Sequence, residues 1–394
     1  MTDFDVVHDR STSHSEKWDK IGLARNFGRD DLLPFQVADM EFRAPQVVTE
    51  HLVQRANAGI YGYEVRPSTL TEAVSSWYDT RHGWTIDKAQ IRFSRGVMNA
   101  IAMLIDMHTE QGDGVIIQPP VFFEFRLAIR AAGREVVRNA LIWDGATYRM
   151  DLADLEAKAS APSAKILILC NPHNPVGRVW DQDELQRVGE ICQRHGVFVI
   201  ADEIHGDFAF PGFRYYPYAS VVDEQAAQMS VTCLSPAKTF NIASVTESPI
   251  VIPNPEHRKL FEQFTFRLFI DKPTAFSTVA MEAAYRYGAP WLDELLQYLQ
   301  ENVVFLQEFL NERIPAIELV VPQGTFLVWL DFRKLGLDAK ELEAFLVNEA
   351  RIALSSGYWF GRQGAGFARM TIGCPRSLLE DGLKRLERAV SSLS

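Results

Sequence analysis

Long apolar runs are missing from this 394-residue sequence, and none approaches the ~18 consecutive apolar residues of a membrane-spanning helix. The start, Met1-Thr2-Asp3-Phe4-Asp5, lacks the basic residues and apolar core of a secretory signal. Cysteine is scarce: Cys170, Cys192, Cys233 and Cys374 stand far apart, in no metal-ligand spacing. Two of them, Cys170 and Cys233, lie inside apolar runs, where a buried thiol is the plain reading. Positive charge is in deficit. With 40 Lys and Arg against 51 Asp and Glu, the net charge of −11 has the wrong sign for nucleic acid or an anionic membrane surface. Internal repeats, low-complexity tracts and flexible linkers are also absent. What these absences leave is a soluble, cytoplasmic globular protein, and its length is enough for two domains.

The first 45 residues are polar and irregular, apart from the apolar island Leu32-Leu33-Pro34-Phe35-Gln36-Val37-Ala38-Asp39-Met40. Such a tail needs another part of the fold, or a second subunit, to pack on. Helical patterns follow from Pro45 to Ala58, and from Ser68 to His82 with Ser68 as N-cap and Gly83 as stop. From about residue 90 to 235, short apolar strands alternate with helices. That alternation predicts an α/β fold with a parallel sheet covered on both faces. Beyond it the pattern shifts to long helices, a shorter one from Ala339 to Ala350, and a few short strands. That succession reads as a smaller α+β domain, with its boundary at the helix that begins near Pro290.

Three of the predicted strands end in polar groups. Ile166 to Cys170 runs into Asn171-Pro172-His173-Asn174-Pro175-Val176-Gly177; Val197 to Ala201 runs into Asp202-Glu203-Ile204-His205; and Met229 to Cys233 leads to Ser235-Pro236-Ala237-Lys238. Taken singly, each has a bland reading: a solvated lysine, a capping aspartate, an asparagine that shapes a turn. Jointly they predict one crevice at the carboxyl edge of a parallel sheet. A lysine amine forms Schiff bases, which suits it to hold an aldehyde cofactor. Pyridoxal 5'-phosphate accounts for the other groups. Asp202 would keep its ring nitrogen protonated, Asn174 would donate to its ring oxygen, and Phe122 would stack on its face. Ser235 and the helix-start amides of Gly96 and Val97 would hold the phosphate. His205 and Asp207 have no third partner with metal-ligand spacing, so no metal is expected.

These strings resemble the fold type I aminotransferase superfamily, and more narrowly the MalY/PatB-type cystathionine β-lyases, or C–S lyases. The resemblance runs from Leu32-Leu33-Pro34-Phe35 through Ala289-Pro290-Trp291-Leu292 to Gly373-Cys374-Pro375-Arg376, nearly the whole chain. It implies a large pyridoxal-phosphate-binding domain (46–289) with a mostly parallel seven-stranded sheet flanked by helices. It also implies a small α+β domain built from both chain ends (1–45 and 290–394), in a homodimer with the active site at the subunit interface. Carried over by position, Lys238 bears the cofactor and acts as base, and His205 joins the cofactor-binding set. Tyr63 reaches the phosphate from the neighbouring subunit. Arg369, with Asn174, clamps the substrate carboxylate. Phe122 replaces a tyrosine common in relatives, Thr246 stands where many aminotransferases have a phosphate-binding arginine, and the Ser94-Arg95-Gly96-Val97 turn departs from its relatives.

The activity so implied is α,β-elimination from L-cystathionine or another cysteine S-conjugate, a small amino-acid substrate, to a thiol, pyruvate and ammonia. An aminotransferase would use the same residues but need a keto-acid acceptor. A regulator that acts on a transcription factor by protein contact is the rival of a different kind.

Overall fold

The computed structural model describes residues 2–10 and 12–393. Seven strands form its central sheet: β1 (Ile91–Ser94), β2 (Gly114–Ile117), β3 (Glu135–Arg138), β4 (Ala164–Cys170), β5 (Phe198–Asp202), β6 (Ser230–Cys233) and β7 (Ser248–Val251). Their spatial order is β1-β7-β6-β5-β4-β2-β3, parallel except for β7, which runs antiparallel to both neighbours. The fold class read from the sequence is therefore the one observed. Strand β7 is the exception: its four residues, Ser248-Pro249-Ile250-Val251, hold a proline, which argues against a central strand.

Strands β2, β5, β6 and β7 are buried throughout their length. This is why β2 and β5 read as continuous apolar runs rather than alternating ones. One face packs under the helix Val97–His108 through Val97, Ala100, Ile101 and Leu104. The other is covered by Gln182–His195 through Leu185, Val188 and Cys192. That second helix has both of its ends written in the sequence. A reciprocal Asp181/Glu184 capping box starts it, and Gly196 at φ 68° closes it.

Beyond residue 290 a second sheet forms from β8 (Glu318–Val320), β9 (Leu327–Asp331), β10 (Ser355–Ser356) and β11 (Phe367–Thr371), antiparallel in the order β8-β9-β11-β10. The helix Ala289–Arg313 lies beside it and carries Leu295, Leu299, Val303 and Leu306 into the largest core cluster.

Three local expectations are corrected. Ser68 is the first helical residue and makes no capping bond; extended Pro67 takes the cap position instead. The N-terminal segment is not irregular. Helix Lys20–Phe27 is capped by the Asp19 side chain and closed by Gly28 at φ 77°, and Leu33–Pro34 pairs in parallel with Ile352–Ala353. That helix buries only Gly22 and Leu23, too narrow a stripe to register as periodicity. Finally, the helix expected from Ala339 to Ala350 keeps α geometry only to Ala344 and widens to a π turn over Phe345–Glu349. Among the described residues no helix is long and apolar enough to cross a membrane.

Candidate active site

The sheet order reverses between β2 and β4, and parallel sheets open a crevice at the carboxyl ends of the strands flanking such a point. Here the Pro119-Pro120-Val121-Phe122 turn leaves β2, and the Asn171 to Gly177 turn leaves β4. A cavity of about 440 Å³ lies there, lined by Phe122, Asn174, Asp202, His205, Ser235, Lys238 and Arg369, with Gly96 and Val97 at one end. Of the residues expected to hold cofactor or substrate, all but Tyr63 line its wall. That side chain is 96% exposed and sits beside Lys272.

Lys238 rides on the single helical turn Pro236–Thr239 that follows β6. Its Nζ donates to the carbonyl of Ala38 at 2.6 Å, and among the described residues it has no ion pair. Burial lowers its pKa, Arg369 and Lys17 lower it further, and Asp39 and Glu124 oppose them. Asp202 ends β5 fully inside the fold, where burial pushes its carboxyl up to about 7 against the N–H of Ile204 and the charge of Lys238. A buried carboxylate in that condition is set to receive a cationic partner.

His205 is held neutral, pushed down to about 3 by burial and by Lys238 and Arg369, and its Nδ1 has no partner. Ser235 caps the Lys238 turn by accepting from Ala237 N at 3.2 Å, which leaves its hydroxyl proton to donate elsewhere. Gly96 starts the Val97–His108 helix without a side-chain cap, so the first-turn amides remain open to an anion.

Arg369 projects from the middle of β11. Its Nη1 donates to Asn174 Oδ1 at 3.0 Å, and its Nη2 donates to Gln36 O at 2.7 Å and to Ser355 Oγ at 3.2 Å. Nε has no partner. Burial draws the guanidinium down to about 9, still protonated at neutral pH.

The sequence did not mark out the segment that roofs this cavity. Gln36 and Ala38 present their carbonyls to Arg369 and Lys238 because residues 36–42 are pinned on both sides. Asn241, at φ 55°, bonds the backbone of Met40 and Phe42. On the far side, fully buried Lys17 meets Asp39 at 2.7 Å and Glu41 at 2.8 Å, and Arg10 meets the same two carboxylates. Lys17 and Arg10 look solvated in a polar N-terminal stretch. Only their pairing with acids more than twenty residues away reveals the clasp.

Asp207 does not join His205. It turns away to accept from Trp77 Nε1, Thr239 Oγ1 and His82, bracing the Lys238 turn from behind. Its neighbour in sequence, Glu203, is buried against the Tyr215 hydroxyl and Tyr218 N, and burial pushes its carboxyl up to about 8. A carboxyl raised on folding gives stability that is full below the unfolded value near 4.3 and is lost as pH rises toward 8. Glu203→Gln keeps the acceptor for Tyr218 N and removes that loss. Thermal melts are expected to show the variant gaining on the parent steadily from pH 5 to 8; a constant difference would contradict the assignment.

The family profile described as Aminotransferase class I and II matches residues 19–386. The chain belongs to that family. Cystathionine beta-lyase PatB of Bacillus subtilis is 41% identical over 98% of this chain and 100% of its own. Protein MalY of Escherichia coli is 35% identical over the full length of both. Cystalysin from Treponema denticola, whose crystal structure contains a pyridoxal 5'-phosphate cofactor, superposes with a TM-score of 0.94 at 33% identity over the full length of both chains. For such a cofactor the donor set fits: a half-buried amine, a buried carboxylate without a cation, a neutral imidazole with an open nitrogen, and uncapped helix amides all face one cavity.

Proposed function

We propose that the protein is a pyridoxal-phosphate-dependent carbon–sulfur β-lyase of the cystathionine β-lyase type. Its reaction converts L-cystathionine or another cysteine S-conjugate to a thiol, pyruvate and ammonia. The observation that carries this reading is the meeting of Lys238, Asp202 and the guanidinium of Arg369, whose Nε has no partner, in one cavity.

The cofactor, when bound, supplies an electron sink for negative charge at the substrate Cα. Lys238 would hold it through Nζ, Asp202 would keep the ring-nitrogen proton, and Asn174 would donate to the ring oxygen. Ser235 with the Gly96 and Val97 amides would take the phosphate, with Phe122 on one ring face and His205 alongside. Arg369 would grip the substrate carboxylate, since its planar fork makes two parallel charge-assisted bonds. Lys238, with its amine released by the incoming substrate, would take the Cα proton. A depressed pKa puts more of that amine in the neutral, basic form. Loss of the thiolate from Cβ leaves aminoacrylate, which water converts to pyruvate and ammonia.

The 1–45/290–394 and 46–289 division and a homodimeric state belong to the same proposal. Exposed Ile60, Tyr61, Tyr63 and Val65 lie on a segment that meets Phe276 and Lys272 through Tyr61 and Tyr63, and Phe266, Leu268 and Phe269, a few residues before Lys272 in the chain, are exposed as well. Apolar surface on that scale suits a subunit interface, and a second copy would bring its Tyr63 to this chain's phosphate end. Four free, buried cysteines suit a reducing, cytoplasmic setting.

The purified protein is expected to absorb in the visible, and to release pyruvate and ammonia from cystathionine with no keto acid added. Turnover that depends on a keto-acid acceptor would instead make it an aminotransferase.

A further inference from the structure

A second cavity, of about 180 Å³, adjoins the first, and Phe122, Phe123 and Trp359 line both. The charged residues in its wall are all arginines. Arg126 and Arg130 come from the helix Phe123–Ala131, Arg138 ends β3, and Arg362 opens the short turn Arg362–Gly364. No carboxylate among the described residues lines it, in a chain where Asp and Glu outnumber Lys and Arg by 51 to 40. Among the described residues none of the four side chains makes an ion pair or a hydrogen bond, although half-buried Arg10, Arg66, Arg134 and Arg178 each meet a carboxylate.

Left empty, this arrangement is unfavourable. Arg126 and Arg130 stand four residues apart on one helix, the spacing at which like charges repel. Arg126 is half-buried, and its Nε is closed off from solvent with no acceptor. A buried donor left unpaired costs free energy, and folds keep few of them. Its nearest acid in sequence, Glu124, lines the first cavity only, where Glu16, Lys238 and Arg369 act on it. A guanidinium is a planar fork that matches the oxygens of a phosphate or a carboxylate. Four forks drawn from three elements hold more positive charge than one carboxylate neutralises, and the small volume admits only a compact group.

We propose that this second cavity binds a compact oxyanion with two or more negative charges, such as a phosphate ester or a polycarboxylate. Arg126 is the inner contact, and exposed Arg130, Arg138 and Arg362 close on the anion from the rim. The site is distinct from the Arg369 clamp, and no bond is made or broken there. Its occupancy is measured without turnover, so the lyase reading and this one fail separately.

The test is calorimetric titration of the cofactor-loaded protein with inorganic pyrophosphate and, separately, with citrate. Loaded cofactor keeps the phosphate end of the first cavity filled. At physiological ionic strength, attraction between exposed charges is screened beyond ~8 Å, so saturable uptake of a single anion per chain requires converging contacts. Uptake of pyrophosphate alone marks a phosphate site, uptake of citrate alone a carboxylate site, and uptake of neither overturns the proposal. Arg126→Gln is expected to weaken binding about tenfold, equivalent to ~1.4 kcal/mol. Arg130→Gln and Arg138→Gln, at exposed positions that folding tolerates, are expected to weaken it as well and decide the matter should the Arg126 variant not fold. Two controls are expected to leave binding unchanged: Arg187→Gln, which removes an exposed charge from the helix Gln182–His195, and Arg369→Ala, which removes the clamp. Binding that the three cavity variants leave unaltered, or that either control weakens as much as they do, overturns the proposal.

Discussion

Replacing Lys238 with alanine is expected to lower kcat for pyruvate release by about 10⁴-fold or more, the upper range for loss of a positioned proton-transfer group. The geometry gives no substitute base at that place. Asp202 and His205 face the cavity, but one is assigned to the ring nitrogen and the other is held neutral, with burial pushing it down to about 3. Lys238→Arg is expected to fail equally, since a guanidinium keeps its proton at working pH and forms no covalent link to an aldehyde. Neither failure should come from unfolding. The side chain's one hydrogen bond, to Ala38 O, is worth about 1 kcal/mol net, and its removal also takes an unpaired amine out of a half-buried site. Melting temperature should therefore hold within a few degrees while turnover disappears. Turnover of the alanine variant within tenfold of the parent would sink the mechanism.

Arg369→Ala is expected to reduce kcat/KM by about 10²- to 10⁴-fold, the loss of two charge-assisted hydrogen bonds of about 1.5–3 kcal/mol each. Most of this should appear in KM, because a carboxylate clamp grips substrate and transition state alike. The conservative Arg369→Lys variant keeps a charge but not the fork, and should recover only part of the loss. Unlike Lys238, this side chain also supports the fold. Its departure leaves Asn174 Oδ1 and one bond to Gln36 O without their donor, so the melting temperature should fall together with affinity. A variant with reduced stability but unchanged KM would make Arg369 a structural residue and not a clamp.

Much of the site was legible before any coordinates, for a particular reason. In a parallel sheet the reactive groups leave the carboxyl ends of apolar strands, so Asn174, Asp202, Ser235 and Lys238 each follow a recognisable run at a turn. The cavity then brings them together. Arg369 was different. It sits inside β11, where a single arginine among Phe367, Ala368 and Met370 carries no signal of its own, and only resemblance to a family picked it out. Helix Lys20–Phe27 and strand β7 were missed because the one buries too little and the other holds Pro249, which argues against a central strand.

The sequence by itself determined the sheet, its covering helices and the identity of the reacting groups. Apolar periodicity, glycine stops and polar strand ends are local properties that neighbouring residues suffice to express. Only the tertiary structure decided what surrounds those groups. The carbonyl of Ala38 reaches Lys238 from 200 residues away, held there by the pairing of Lys17 and Arg10 with Asp39 and Glu41. Glu124 and Glu16 come to share a cavity only when the N-terminal segment folds across the sheet edge. Charge acts through space and not along the chain, so the groups that tune Lys238 could be found only once distant segments were brought within reach of each other.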